Sequence, residues 1–155
     1  MKNLLLFALV VLVALATTQC NKETTVAKPT STECETESVA NTSSVAMKNL
    51  VGTWNWVKTQ GGRLAPNEPY ETAQSTGKTR KLVITTDKKI SLYEEGKLAY
   101  STTFELEEKE GQVIVSQAYI ADVPDYFSGL LMVCDQHLRT GKSYVDGFDF
   151  YYDKE

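Results

Sequence analysis

Leu98-Ala99-Tyr100-Ser101-Thr102-Thr103-Phe104-Glu105-Leu106-Glu107 decides the fold. Leu98, Tyr100, Thr102, Phe104 and Leu106 alternate with Ala99, Ser101, Thr103, Glu105 and Glu107. Successive side chains of a strand point to opposite faces, so this stretch has one buried face and one wet face carrying its acids. A helix would need an apolar stripe that steps by three and four, whereas this series steps by two throughout.

The same period recurs on both sides. Leu82 and Ile84, Ile90 and Leu92, Val113 and Val115, and Leu130 to Cys134 read as further strands, and Phe148, Phe150 and Tyr152 close the series. Thr86-Asp87-Lys88, Glu95-Gly96-Lys97 and Lys109-Glu110-Gly111 separate neighbouring runs and carry the Gly and Asp that tight turns use. Consecutive strands joined this tightly form an antiparallel meander. The expected fold is therefore all-β: a small up-and-down antiparallel barrel of about eight strands, closed so that no sheet edge is left bare. Two connections differ. Gln60 to Gly77 is long and holds Gly61, Gly62, Pro66 and Pro69, as binding loops and lids often do, and Ala121 to Gly129 contains Pro124.

The chain has 155 residues, and its beginning is not strand-like. Lys2 precedes the apolar run Leu4 to Ala16, too short for a bilayer span and suited to the core of a signal peptide, here assigned to residues 1–19. Two processing readings stand. Ala14-Leu15-Ala16 fits ordinary cleavage and a secreted soluble product. Cys20, between the apolar run and a polar stretch, resembles the acylated cysteine of bacterial lipoproteins, although Thr17, Thr18 and Gln19 depart from their usual preceding residues. Lipidation at Cys20 is the favoured reading, with the membrane as partner. Residues 20–46 are rich in Thr, Ser and Glu without an aromatic residue, and read as a disordered tether. Residues 47–155 are the domain.

The net charge of −4 supplies no basic patch, so nucleic acid is not an expected partner. Cys134 and His137 stand three apart, on opposite faces of a regular strand, which argues against a nucleophile–base pair or a shared metal. No phosphate-cradling glycine motif and no zinc-type cysteine pair is present. Neither a catalytic residue nor a cofactor nor a metal is assigned. Cys34 and Cys134 are left if Cys20 is acylated. They either pair in an oxidising compartment or stay apart, Cys134 in the core with Leu130 and Met132.

Leu50-Val51-Gly52-Thr53-Trp54-Asn55-Trp56-Val57 holds a G-x-W motif, and Gly61-Gly62, Arg80-Lys81-Leu82-Val83-Ile84, Tyr93-Glu94-Glu95-Gly96-Lys97-Leu98 and Asp146-Gly147-Phe148-Asp149-Phe150-Tyr151-Tyr152 follow it. This series resembles the lipocalin-like (calycin-type) domains of small Bacteroidota lipoproteins across essentially the whole domain. The resemblance implies a barrel closed around Gly52 and Trp54. Lys154 stands where lipocalins commonly stack an arginine over that tryptophan. It also implies a first loop across the open end, with Gly61 and Gly62 as hinge and Leu64 and Tyr70 as cover. Leu82, Ile84, Tyr100 and Phe104 would then either line a pocket for a small apolar ligand or fill the core. The expected function is non-enzymatic, in a bacterial envelope and on its outer membrane: binding of a small apolar ligand or, alternatively, a filled barrel that binds an envelope protein.

Overall fold

The structure is a computed structural model that describes residues 34, 39–61, 69–118 and 125–155, with the backbone alone at 69 and 70. The signal peptide, Cys20, Gly62 and Leu64 lie outside the described residues. The described residues belong to one compact unit.

A helix, α1 (Ser43–Leu50), leads into nine strands: β1 (Gly52–Gly61), β2 (Pro69–Thr72), β3 (Arg80–Ile84), β4 (Lys89–Glu94), β5 (Lys97–Lys109), β6 (Gln112–Gln117), β7 (Gly129–Val133), β8 (His137–Gly141) and β9 (Phe148–Lys154). A one-turn helix, α2 (Ala73–Thr76), separates β2 from β3. Strands β3 to β9 pair in sequence order, and β1 pairs with both β3 and β9. This closes an eight-stranded antiparallel barrel, with β2 as one extra strand. All pairings are antiparallel. The β4–β5 and β5–β6 hairpins turn on two residues each, Glu95-Gly96 and Glu110-Gly111. All four have positive φ, the backbone that matches the twist of the flanking strands.

The register defines two ends. At the lower end lie α1, the start of β1 and the β3–β4, β5–β6 and β7–β8 turns. At the upper end lie β2, α2, the Glu95-Gly96 turn and the β6–β7 and β8–β9 connections.

α1 takes in Ser43 to Ala46, the end of the stretch that reads as tether in the sequence. The Thr42 side chain caps the helix by accepting from Val45 N, a local signature of a helix start. Ala46 and Leu50, one turn apart, are fully buried beneath the barrel. Ala40 N donates to Val133 O at 3.1 Å, and Ser43 N donates to Glu108 Oε1 at 2.6 Å. Cys34 and Cys134 are joined by a disulfide with Cα atoms 5.8 Å apart, fixing the preceding chain to the β7–β8 turn.

Candidate functional site

The lower end is closed. Trp54 is wholly buried and its indole Nε1 donates to Leu50 O at 2.7 Å. Lys154 sits opposite Trp54 in the β1–β9 register, with Nζ 5.0 Å from the ring centroid. The same ammonium donates to Asn49 O at 3.0 Å. A Cβ on Gly52, whose φ is +139°, would come within 3.0 Å of Lys154 Cε. Gly52, Trp54 and Lys154 are thus one contact set that joins β1, β9 and α1.

The residues considered as a pocket are core. Leu82, Ile84 and Phe104 expose no more than 1% of their surface, and Tyr100 exposes 7%. They pack in one cluster with Ile90, Leu92 and Leu131. Phe104 meets Phe127 edge to face, centroids 5.3 Å apart. A side chain lining a void that water can enter keeps contactable surface, and these keep almost none. The alternation in the sequence identified the inward face, but a filled and a hollow barrel share that alternation.

The long connection is described at its two ends, and both are paired strand. Gln60 and Gly61 continue β1, and β2 folds back on it, pairing Lys58 with Thr72 and Thr59 with Glu71. Gly61 is the last residue of β1, while Gly62 lies outside the described residues. Gly61 faces Phe148 across β9, and a Cβ there would meet Gly147 O at 2.7 Å, so the close approach of two backbones requires a glycine. Tyr70 is part of β2, and its side chain is outside the described set.

The upper end carries the most unusual chemistry of the described residues. Arg80 opens β3 on the inward face shared with Leu82 and Ile84, and its side chain is only 5% exposed. Its guanidinium lies over two rings, 4.4 Å from the Trp56 centroid and 4.9 Å from that of Tyr126. Nη1 donates to Glu71 Oε2 and Nε to Glu94 Oε1, both at 3.1 Å. A planar, delocalised cation suits this position, since it can lie over aromatic rings and still donate at its edge. Burial works against its charge; Tyr126, Glu71 and Glu94 outweigh that, and its pKa is raised. Arg80 thereby links β2, β3 and β4 and braces the β6–β7 connection through Tyr126. The period-two rule already placed Arg80 with Leu82 and Ile84, so a charge on a core face was the signal available.

Tyrosines complete this end. Tyr152 OH donates to Tyr126 O at 3.1 Å, and Tyr126 packs edge to face on Phe150 at 5.2 Å. Tyr100 OH donates to Gln117 Oε1 at 3.3 Å, and Gln117 Nε2 donates to Asp125 Oδ1 at 2.9 Å. Burial pushes the Tyr100 phenol up to about 12, and it raises Tyr126 and Tyr152 too. All three are neutral hydrogen-bonding groups at physiological pH.

On the outer wall, Asp149 is buried by its partners. It accepts from Arg139 Nη2 at 2.6 Å, Ser143 Oγ at 2.7 Å and Ser143 N at 3.1 Å. Strand alternation pointed Asp149 outward, and Arg139 and the β8–β9 connection cover it there. Cys134 and His137 flank a turn rather than share a strand. Cys134 N donates to His137 O at 3.0 Å, and the His137 ring pairs with Asp153 at 2.8 Å. Among the described residues no group of three His, Cys, Asp or Glu is placed to hold a metal ion, and no helix is long and apolar enough to cross a membrane. No family model, curated protein or solved structure matches the chain.

Proposed function

We propose that this chain is a non-enzymatic, lipocalin-like lipoprotein of a bacterial envelope, on the outer membrane, and that it works as a filled-barrel interaction module binding an envelope protein. The packing of the interior carries this reading: the apolar side chains that would line a ligand pocket are spent on one another. The lipocalin-like part is supported by the contact of Gly52, Trp54 and Lys154, in which a cation lies over the tryptophan of the G-x-W motif. Work done at the surface is supported by the upper rim. Tyr144 and Val145 of the β8–β9 connection, Phe148 at the start of β9 and Leu98 of β5 are 64%, 62%, 38% and 56% exposed.

Titration with an environment-sensitive apolar fluorophore tests the reading. The folded wild type should show no saturable binding, while a photo-crosslinker at Val145 should capture one envelope protein that Tyr144→Ser and Phe148→Ser release. Saturable 1:1 binding of the fluorophore, weakened by Phe104→Trp, would instead make the protein a carrier.

A further inference from the structure

Asp149 stands on the outer wall of β9, where an acid is ordinarily wet, yet it is only 5% exposed. Four donations cover it. Arg139 supplies Nε at 3.1 Å and Nη2 at 2.6 Å, and Ser143 supplies its Oγ at 2.7 Å and its N–H at 3.1 Å. Gly141 leaves room for the carboxylate, since a Cβ there would collide with Asp149 Oδ1. The β8–β9 connection that Asp149 holds is also tied to itself. Lys142 N donates to Phe148 O at 3.1 Å, and Lys142 O accepts from Val145 N and Gly147 N, both at 2.9 Å. The main chain is thus fixed while two side chains stand in water: Tyr144 and Val145 are the most exposed large apolar residues among those described. Beside Tyr144 is a hollow of about 270 Å³, lined among others by Leu130, Met132, Arg139 and Gly141.

We propose that Asp149 is the positioning residue of an interaction surface formed by Tyr144, Val145 and this hollow. The inference rests on the reading of the chain as an interaction module. A loop that is ordered only on binding loses conformational entropy at that moment, and a loop ordered beforehand spares the complex that loss. A tyrosine is also among the side chains on which protein interfaces concentrate their energy. The partner that fits is a protein surface with an apolar pocket for Tyr144 and an apolar side chain for the hollow over Leu130 and Met132. A lipid surface fits less well. Asp125 and Asp146, both exposed, outnumber Lys142 at this tip, so an anionic bilayer repels it. Asp146 directly follows Val145, and sinking Val145 into hydrocarbon would draw that carboxylate out of water.

Amide exchange followed by NMR tests the positioning, on the chain from residue 20 onward carrying Cys20→Ser. In this parent protein the Val145 and Gly147 amides should exchange slowly. Asp149→Asn keeps the size and removes the charge; it should speed both amides by about ten-fold or more while β3 and β4 stay as slow as before. Ser143→Ala, milder for the fold, should speed them to a smaller extent, and it decides the matter if Asp149→Asn loses protection throughout. Fast exchange in the parent, or slow exchange in both variants, overturns the positioning and leaves the interaction reading standing. A photo-crosslinker at Val145 in living cells reads the surface itself. Its adduct should fall several-fold with Ser143→Ala and with Asp149→Asn, although Tyr144 is intact, and a crosslinker at exposed Asp87 in the lower β3–β4 turn should give none. No adduct from Val145 overturns the reading and the proposal together; an adduct undiminished in both variants overturns the positioning. Flotation of the parent protein with phosphatidylcholine–phosphatidylglycerol vesicles, abolished by Tyr144→Ser, would make the tip a lipid contact and overturn the proposal.

Discussion

Lys154 lies over the indole of Trp54, Nζ 5.0 Å from the ring centroid, and donates from that same nitrogen to Asn49 O at 3.0 Å. One cation therefore fastens the last strand to the first and both to the helix beneath. Trp54→Ala is expected to cost about 3–5 kcal/mol, the usual toll of emptying a buried tryptophan site. Lys154→Ala should cost about 1–2 kcal/mol, from one cation–π contact and one charge-assisted hydrogen bond. Urea denaturation checks both, and a Trp54→Ala variant as stable as wild type would contradict the closed lower end.

Arg80 gives a second expectation. Removing a buried partner of an ion pair typically costs about 3–5 kcal/mol. Here Glu71 and Glu94 are 31% and 36% exposed and can rehydrate, so Arg80→Ala should cost less, about 2–3 kcal/mol. Arg80→Lys should recover only part, because an ammonium cannot stack on Trp56 and Tyr126 while donating sideways to both carboxylates. Thermal melts of the two variants measure the difference.

The disulfide closes a separation of 100 residues. The chain-entropy model gives such a loop about 4–5 kcal/mol. Cys34→Ser with Cys134→Ser should lower stability by up to that amount, less whatever the Ala40–Val133 contact retains. Thiol counting on the unfolded, unreduced protein should find neither cysteine free. Two free thiols would remove the bridge.

The barrel was legible in the sequence because strand alternation and two-residue turns are local signals. Leu82 and Ile84 marked an inward face, and Glu95-Gly96 and Glu110-Gly111 marked the hairpins. Three features were not so legible. α1 is short, and its helical spacing, Ala46 and Leu50 behind the Thr42 cap, is submerged in a polar stretch that reads as tether. The close approach of Gly147 to Gly61 joins residues far apart in the chain, so no local stretch shows it. Whether Leu82, Ile84, Tyr100 and Phe104 enclose a void depends on the volumes meeting from all eight strands, which no single stretch contains. The Arg80 clamp lay between these cases: its inward position was readable, but its partners Glu71, Glu94, Trp56 and Tyr126 come from four other segments.

The buried tyrosines set an alkaline limit. Tyr100 titrates near 10 when unfolded and at about 12 when folded. A raised folded pKa means that its contribution is complete below pH 10 and is lost as pH rises to about 12, since only the unfolded state ionises readily. At 1.36 kcal/mol per unit, that loss is about 2–3 kcal/mol from Tyr100 alone. Stability measured between pH 9 and 12 should fall more gently in Tyr100→Phe than in wild type. Tyrosinate absorbance should appear together with unfolding rather than before it.

The filled interior is the central claim, and xenon tests it most directly. A dry apolar cavity large enough for a small ligand takes up xenon under modest pressure. Crystals of the protein held under xenon should show no ordered atom within the barrel among Leu82, Ile84, Phe104 and Leu131, while Phe104→Ala crystals, with a cavity cut on purpose, should show one. A well-occupied xenon site inside the wild-type barrel would contradict the account and return the protein to the carriers.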